Sequence, residues 1–197
     1  MLLVENIGEI RNVADNLSDE EFLAFCVANP NLRIERDKNR NVIIMPPLNS
    51  DSGFYESTMI IDLGIWNRKT QLGITFSSSS GFKLPDGSIK SPDASWVSKE
   101  KWQSLTLRQR KSFAPIAPEF IVEVRSKTDS LVALQTKMEE WIANGVLLAW
   151  LIDPTQQKAY IYRADGSTTQ IDDFNQTLSG ENVLPEFTFD LNALQMP

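Results

Sequence analysis

The sequence predicts an α/β fold in which a central mixed β-sheet is flanked by helices, with an N-terminal helix and β-hairpin added. Three observations support this prediction. The sequence patterns of a strand, a helix and a second strand follow one another between residues 118 and 153, which is the order of a βαβ crossover. Several other segments alternate apolar and polar residues between turn residues, as antiparallel strands do. Hydrophobic residues make up 42% and charged residues 23% of the 197 residues, proportions typical of a globular chain.

A helix and a β-hairpin are predicted near the N-terminus. Ser18 and Glu21 stand three residues apart before an apolar stretch, which is the pattern of a capping box. Phe22 and Cys26 would share the apolar face of the helix that follows, so we expect Cys26 to be a core thiol. The stretch 32–45 alternates on both sides of a polar turn, which predicts a hairpin that two prolines then end.

A long helix and several strands are predicted next. Apolar residues recur at helical spacing from Ser52 to Arg68, and Gly73 is expected to end this segment. Strands follow at 74–77 and 92–97, and Pro85-Asp86-Gly87 supplies the turn between two shorter strands. The apolar face of the helix is expected to consist of Tyr55, Met59, Ile60, Leu63 and Trp66.

The crossover itself occupies the second half of the chain. Residues 118–124 form an apolar, β-branched strand, and the periodicity of 130–144 predicts a helix with Gly145 just beyond its end. The nearly continuous apolar run at 147–153 is typical of a strand covered on both faces. A closing hairpin is expected over 158–171, and the alternating tail at 185–191 is expected to dock as an edge strand.

Length and composition limit both the architecture and the chemistry. We see no internal repeat or long linker, which predicts a single domain over 1–197 with its core at about 50–172. The sequence has no histidine and one cysteine, which excludes a Ser-His-Asp triad, a Cys-His dyad and a histidine-based zinc site. Any chemistry must therefore use carboxylates, lysines, hydroxyls or a hard metal held by oxygen.

The charge is acidic overall but locally basic. The formal net charge is −7, whereas a protein dominated by phosphate binding is normally basic. Between Lys99 and Lys111 there are five basic residues and one acidic residue. This segment is either a solvated helical surface or an anion-facing patch. The N-terminal stretch lacks a basic region and a continuous apolar run, so no signal peptide is expected and a cytoplasmic location is predicted.

Two acidic residues occupy strands that otherwise appear buried. Asp93 follows Pro92 at the start of one predicted strand, and Glu123 lies inside another. A carboxylate in an apolar strand is costly unless it is paired, hydrogen-bonded or bound to a metal. Two alternatives remain open for Glu123: a metal site, or an edge strand on which it faces solvent beside Arg125. Lys137 borders the apolar stripe of its helix and could reach a carboxylate cluster nearby.

Four segments together resemble a known family. They are Ser91–Val97 with its Pro-Asp pair, Pro118–Ser126 with its Val-Glu-Val motif, Lys137–Trp141, and Gly145–Pro154. In this order they are similar to the Uma-type endonucleases, formerly a domain of unknown function, within the PD-(D/E)XK restriction-endonuclease-like superfamily. The resemblance covers residues 15–192 and implies a restriction-endonuclease-like central mixed sheet flanked by helices.

The resemblance also implies a set of site residues. Asp93 matches the aspartate of the Pro-Asp motif, Glu123 the second acid, and Glu56 the acid of the first core helix. The usual Glu-x-Lys would place a lysine at 125, where this chain has arginine, and Arg125 cannot act as a general base. Lys137, on the following helix, fits the Uma-type position of the lysine, and Lys127 is the other candidate.

The function that the resemblance implies is metal-dependent hydrolysis of nucleic-acid phosphodiester bonds. Asp93 and Glu123, helped by Glu56, would bind Mg²⁺ or Mn²⁺, with the main-chain carbonyl of Val124 as a further ligand. Lys137 would orient water or neutralise phosphate charge. The expected partner is nucleic acid, most simply DNA, with a homodimer suited to double-strand cutting. Candidate nucleic-acid contacts are Arg125, Lys127, Arg108, Arg110 and Lys111.

Two rival interpretations remain at this stage. The first is a catalytically inactive nuclease fold that acts as a DNA-binding or protein-interaction module, which the acidic net charge and Arg125 favour. The second is an interaction or scaffold protein, for example a homodimer, in which tryptophans anchor an interface. Aromatic residues at helix and strand spacing are, however, more often part of the core.

Overall fold

A computed structural model describes residues 17–45 and 49–196. The described residues fall into two compact units. The first contains residues 17–45, 79–91 and 105–116, and the second contains residues 49–78, 92–104 and 117–196. No helix in these described ranges is long and apolar enough to span a membrane. The prediction of a single domain over 1–197 stays a prediction.

The first unit is a small sheet with a helix. Helix α1 spans Asp19–Ala28 and begins with the expected capping box between Ser18 and Glu21. Strands β1 (Arg33–Arg36) and β2 (Val42–Met45) form the expected hairpin, with Arg36 opposite Val42. The short strands β4 (Phe82–Lys83) and β5 (Ile89–Lys90) complete the sheet in the order β2-β1-β5-β4. The prolines expected to end the hairpin lie outside the described residues.

The second unit is built on a six-stranded mixed sheet. Its strands span Gly73–Ser77 (β3), Ala94–Ser98 (β6), Phe120–Val124 (β7), Leu148–Asp153 (β8), Lys158–Arg163 (β9) and Thr168–Ile171 (β10). Their order in the sheet is β10-β9-β8-β7-β6-β3, and only β7 and β8 run parallel to each other within it. These two strands are the first and last elements of the predicted crossover, so the βαβ unit is confirmed.

Two helices cover opposite faces of this sheet. Helix α2 spans Ser50–Thr70, two residues longer at each end than predicted, and buries Met59 and Leu63 against Val122 and Trp150. Helix α5 spans Leu131–Ala143, and its Trp141 contacts Glu123, which the strand pleat directs to the other face. The shorter helices are α3 (Lys99–Ser104) in this unit and α4 (Leu107–Arg110) in the first. The mixed α/β architecture predicted from the sequence is therefore confirmed.

The structure corrects two local expectations. Gly73 does not end α2, whose C-cap is Gln71 in a left-handed conformation; it begins β3, where a Cβ would lie 2.3 Å from the Val97 carbonyl oxygen of the neighbouring strand. The tail forms strand β12 (Thr188–Asp190), which pairs with β11 (Thr177–Ser179) in a separate two-stranded sheet.

Candidate active site

Two neighbouring strands bring the predicted acids together. Strands β6 and β7 are antiparallel, with Ala94 opposite Val122, so continuing the register by one residue sets Asp93 opposite Glu123. The main-chain N–H of Val124 donates to Asp93 Oδ2 at 2.7 Å. This bond fixes the Asp93 carboxyl against the end of β7. Asp93 and Glu123 are 8% and 4% exposed, so both carboxyls are largely removed from water.

Glu123 is held by two donors from α5. The Nζ of Lys137 lies 2.8 Å from Glu123 Oε1, and the indole Nε1–H of Trp141 donates to the same oxygen at 2.9 Å. Lys137 and Trp141 are four residues apart, so one helical turn places both over the strand. The ammonium compensates the buried negative charge, which would otherwise be strongly unfavourable.

The solvent-facing alternative for Glu123 is wrong. Strand β7 lies between β6 and β8, inside the sheet rather than at its edge. Arg125 does not pair with Glu123: its Nη1 lies 2.6 Å from Oδ2 of Asp153, which is fully buried at the end of β8. The side chain of Arg125 is therefore engaged in an ion pair between two adjacent strand ends. Its role as a nucleic-acid contact stays a prediction.

The third predicted acid, Glu56, interacts with Asp93. Glu56 lies on α2 and is half-buried, and its carboxyl is hydrogen-bonded to that of Asp93. Burial, and then the neighbouring Glu56, raise the pKa of Asp93 to about 7, although the Val124 N–H and Lys137 act in the opposite direction. The Asp93 carboxyl therefore keeps its proton to a much higher pH than an ordinary aspartate does.

The two candidate lysines occupy different environments. The Lys137 side chain is 18% exposed and reaches Glu123, whereas that of Lys127 is 71% exposed and lies 3.5 Å from Asp51. An exposed ion pair such as Lys127–Asp51 contributes little to stability. Of the two candidates, Lys137 is the one that the fold brings to the carboxylates.

The predicted basic contacts at 108–111 belong to the first compact unit, whereas the carboxylates belong to the second. Arg108, on α4, is 90% exposed and lies 3.6 Å from Glu20, which is itself 78% exposed. Lys111 is exposed and Arg110 half-buried. Their role in binding nucleic acid stays a prediction.

The donor set suits a hard divalent cation. Carboxylate and carbonyl oxygens are the ligands that Mg²⁺ and Mn²⁺ prefer, and Asp93, Glu123 and the Val124 carbonyl offer only oxygen. Across residues 17–45 and 49–196, no three His, Cys, Asp or Glu side chains are grouped to hold a metal ion. The side-chain ligands would therefore be two carboxylates, with Glu56 acting on Asp93 through its hydrogen bond.

Sequence reasoning missed two residues of this arrangement. Trp141 was predicted as core, and it is fully buried, but its hydrogen bond to Glu123 was not anticipated. Its position four residues after Lys137 was the available signal, since residues at that spacing share a helix face. Asp153, at the end of the predicted strand 147–153, accepts from the Gln156 N–H at 3.1 Å and also pairs with Arg125, a contact that was not anticipated.

Comparison with known proteins agrees with the fold. Residues 19–193 match the model of a family, Uma2, described as "Putative restriction endonuclease". A crystal structure at 1.96 Å resolution from Anabaena variabilis ATCC 29413, described as "a putative nuclease belonging to DUF820", shares the fold with a TM-score of 0.73 and 19% sequence identity. The match covers 90% of this chain and 97% of that one. No curated protein matches. The chain belongs to the Uma2 family of restriction-endonuclease-like proteins.

Proposed function

We propose that the protein is a metal-dependent endonuclease that hydrolyses phosphodiester bonds of nucleic acid. One observation carries the proposal: Asp93 and Glu123, from neighbouring strands, lie together with the ammonium of Lys137 2.8 Å from Glu123. Two buried carboxylates with one lysine, and without histidine or a reactive cysteine, suit a reaction that depends on a divalent cation. Membership of a family of restriction-endonuclease-like proteins supports the same reaction.

The residues have distinct roles in this proposal. Asp93, Glu123 and the Val124 carbonyl would hold Mg²⁺ or Mn²⁺, which when bound stabilises negative charge on phosphate and lowers the pKa of water. Lys137 is held in place by Glu123 and places positive charge where a phosphate would accumulate negative charge. The Val124 N–H orients Asp93 through its 2.7 Å hydrogen bond. Glu56 acts on Asp93 through the hydrogen bond between the two carboxyls.

We further propose that the substrate is DNA and that the protein acts as a homodimer. Cutting both strands of a duplex requires two sites, and a two-fold dimer presents two copies of one site. The cytoplasmic location stays a prediction.

A cleavage assay on supercoiled plasmid and on single-stranded DNA tests the proposal, with Mg²⁺, Mn²⁺ or EDTA. The variants are Asp93→Asn, Glu123→Gln and Lys137→Met. Each is expected to reduce the cleavage rate by roughly 100-fold or more, because the first two remove a carboxylate that would hold the cation and the third removes the positive charge near the phosphate. Lys127→Met is the comparison variant: it removes an exposed lysine that lies beside Asp51 rather than at the carboxylates, so it is expected to cleave much faster than Lys137→Met.

The assay also separates the alternatives. Cleavage that EDTA abolishes and that the three variants lose supports the proposal. A folded parent protein that binds DNA but cuts under no metal would overturn it and favour the inactive module. Equal loss in Lys127→Met and Lys137→Met would contradict the assignment of Lys137.

A further inference from the structure

Trp141 makes a contact that ordinary core packing does not require. Its side chain is fully buried, and its Nε1–H donates to Glu123 Oε1 at 2.9 Å. Lys137 donates to the same oxygen at 2.8 Å. Two donors from one helix therefore converge on one of the two oxygens of this carboxylate.

The need of a buried indole N–H for a hydrogen-bond acceptor does not by itself explain this pairing. Trp150, on β8, is equally buried, and its Nε1 has no hydrogen-bond partner among the described residues. The protein therefore tolerates a buried indole N–H without an acceptor, although such groups usually find one. The acceptor of Trp141 is instead the one acid in the interior of β7.

Convergence on a single oxygen fixes how the carboxylate is oriented. A carboxylate can rotate about its terminal bond, since that torsion is broad. A lysine has a flexible stem and three equivalent donors, so Lys137 alone restricts this rotation only loosely. The indole is rigid and presents one donor in one direction. Since both donors hold Oε1, the orientation of the whole carboxylate follows from these two contacts.

We propose that Trp141 is a positioning residue that, through its indole N–H, orients Glu123 for binding a divalent cation. This inference rests on the proposed function, because it requires that Glu123 be a metal ligand. Partners of this kind, hydrogen-bonded to a ligand rather than to the metal, tune both affinity and geometry. In this inference Trp141 acts through Glu123, to which its indole N–H donates, and not by binding the cation or the substrate itself.

A pair of Trp→Phe variants tests the inference. Trp141→Phe keeps an aromatic ring and removes the N–H that Glu123 accepts; Trp150→Phe removes an N–H of equal burial that has no partner. Isothermal titration with Mn²⁺, without DNA, measures the affinity of each variant. We expect Trp141→Phe to weaken Mn²⁺ binding roughly 10- to 100-fold, the usual effect of losing such a partner, and Trp150→Phe to bind as the parent protein does. Thermal unfolding in EDTA verifies that both variants are folded.

An NMR measurement on the parent protein keeps the inference testable if Trp141→Phe does not fold. The sequence has five tryptophans, so an indole ¹⁵N–¹H spectrum contains few signals, which the other four single Trp→Phe variants assign by elimination. Titration with Mg²⁺ is expected to shift the Trp141 indole signal and to leave that of Trp150 in place.

The outcomes distinguish failure of this inference from failure of the proposed function. A parent protein that binds no Mn²⁺ overturns both. A parent protein that binds Mn²⁺, with Trp141→Phe and Trp150→Phe of equal affinity, overturns only the role of Trp141. An unmoved Trp141 indole signal in a Mg²⁺-binding protein does the same.

Discussion

At the scale of single residues, Asp93 shows how a carboxyl of the candidate site can oppose folding. Its charged form is desolvated and faces Glu56, and these two effects outweigh the Val124 N–H and Lys137, so that its pKa rises to about 7. Glu123, by contrast, has an ammonium and an indole N–H on one oxygen. Such strain is expected at active sites, where function is favoured over stability.

Asp93→Asn should therefore stabilise the metal-free protein above neutral pH. Between pH 4 and 7 the native state holds the Asp93 proton more tightly than the unfolded state does, because the ordinary pKa is 3.8 and the native pKa is about 7. The free energy of unfolding of the parent protein should thus fall as pH rises through this range. Asparagine stays neutral and can still accept from the Val124 N–H. The free energy of unfolding of Asp93→Asn should exceed that of the parent protein by more at pH 8 than at pH 5. We expect this excess to grow by on the order of 2 kcal/mol between the two pH values.

Urea unfolding in EDTA at several pH values measures this difference. Glu56→Gln is the companion variant: removing the neighbouring charge should lower the pKa of Asp93 and flatten the pH dependence. Parallel stability curves for the parent and Asp93→Asn would show that the carboxyl is not protonated in the native state.

The acids of this site could be predicted from the sequence, whereas their partners could not. Asp93 and Glu123 stand out because a charged residue inside an apolar strand requires a reason. The partners depend on long-range register: Arg125 pairs with Asp153 because β7 and β8 are parallel with Val124 opposite Ile152. Whether β7 is an edge strand or a central strand depends on which strands lie beside it. The alternation of residues within one strand does not carry that information.

At the scale of elements, short-range sequence patterns predicted best those features of helices and strands that short-range interactions determine. The capping box of α1 and the long apolar stripe of α2 are short-range patterns, and both elements were predicted. Gly73 was assigned to a helix end because helices often end in glycine. Its real constraint is the close approach of Val97 and Trp96 from the adjacent strand, which no local pattern shows.

Helix α2 provides an element-scale prediction about assembly. Its outward face exposes Ile61 by 56% and Ile65 by 46%, while Asp62 precedes Ile65 and the basic pair Arg68 and Lys69 follows it. Two copies of α2 packed antiparallel would cover the isoleucines and bring the acid of one helix towards the basic end of the other. Parallel packing would oppose like charges. We therefore expect a homodimer through this face.

Analytical ultracentrifugation measures this assembly. Ile65→Glu should shift the protein to monomer, because it buries an unpaired charge at the centre of the interface. Val132→Glu is the matched control, since Val132 is an exposed apolar residue on the other long helix, α5. A monomeric parent protein at high concentration, or equal dissociation by both variants, would contradict the assignment.

At the scale of the whole molecule, the distribution of charge matters more than its sum. The net charge of −7 repels a polyanion at long range, and this repulsion is screened over about 10 Å at moderate salt. Phosphate binding by such a protein must therefore depend on local clusters of basic residues. The segment from Lys99 to Lys111 has five basic residues and only one acidic residue in thirteen positions.

Neutralising part of that segment should change how DNA binding responds to salt. The variant replaces Arg108, Arg110 and Lys111 by glutamine. If these side chains bind phosphates, the slope of log K against log salt should become shallower by up to about 0.9 for each phosphate that the variant no longer neutralises, because fewer counterions are released. Fluorescence anisotropy with an uncleavable DNA duplex in Ca²⁺, over a range of salt concentrations, measures the slope.

A second triple variant separates phosphate binding from net charge. Lys38, Lys83 and Lys158, which lie outside the segment, are replaced by glutamine to remove the same formal charge. A change in net charge alone would weaken binding equally in both variants, whereas direct binding of phosphate lowers the slope only when the segment itself is neutralised. Equal slopes in the parent and the segment variant would mean that residues 108–111 form a solvated surface. DNA binding would then have to depend on basic residues elsewhere, with Lys137, which lies at the carboxylates, the first to examine.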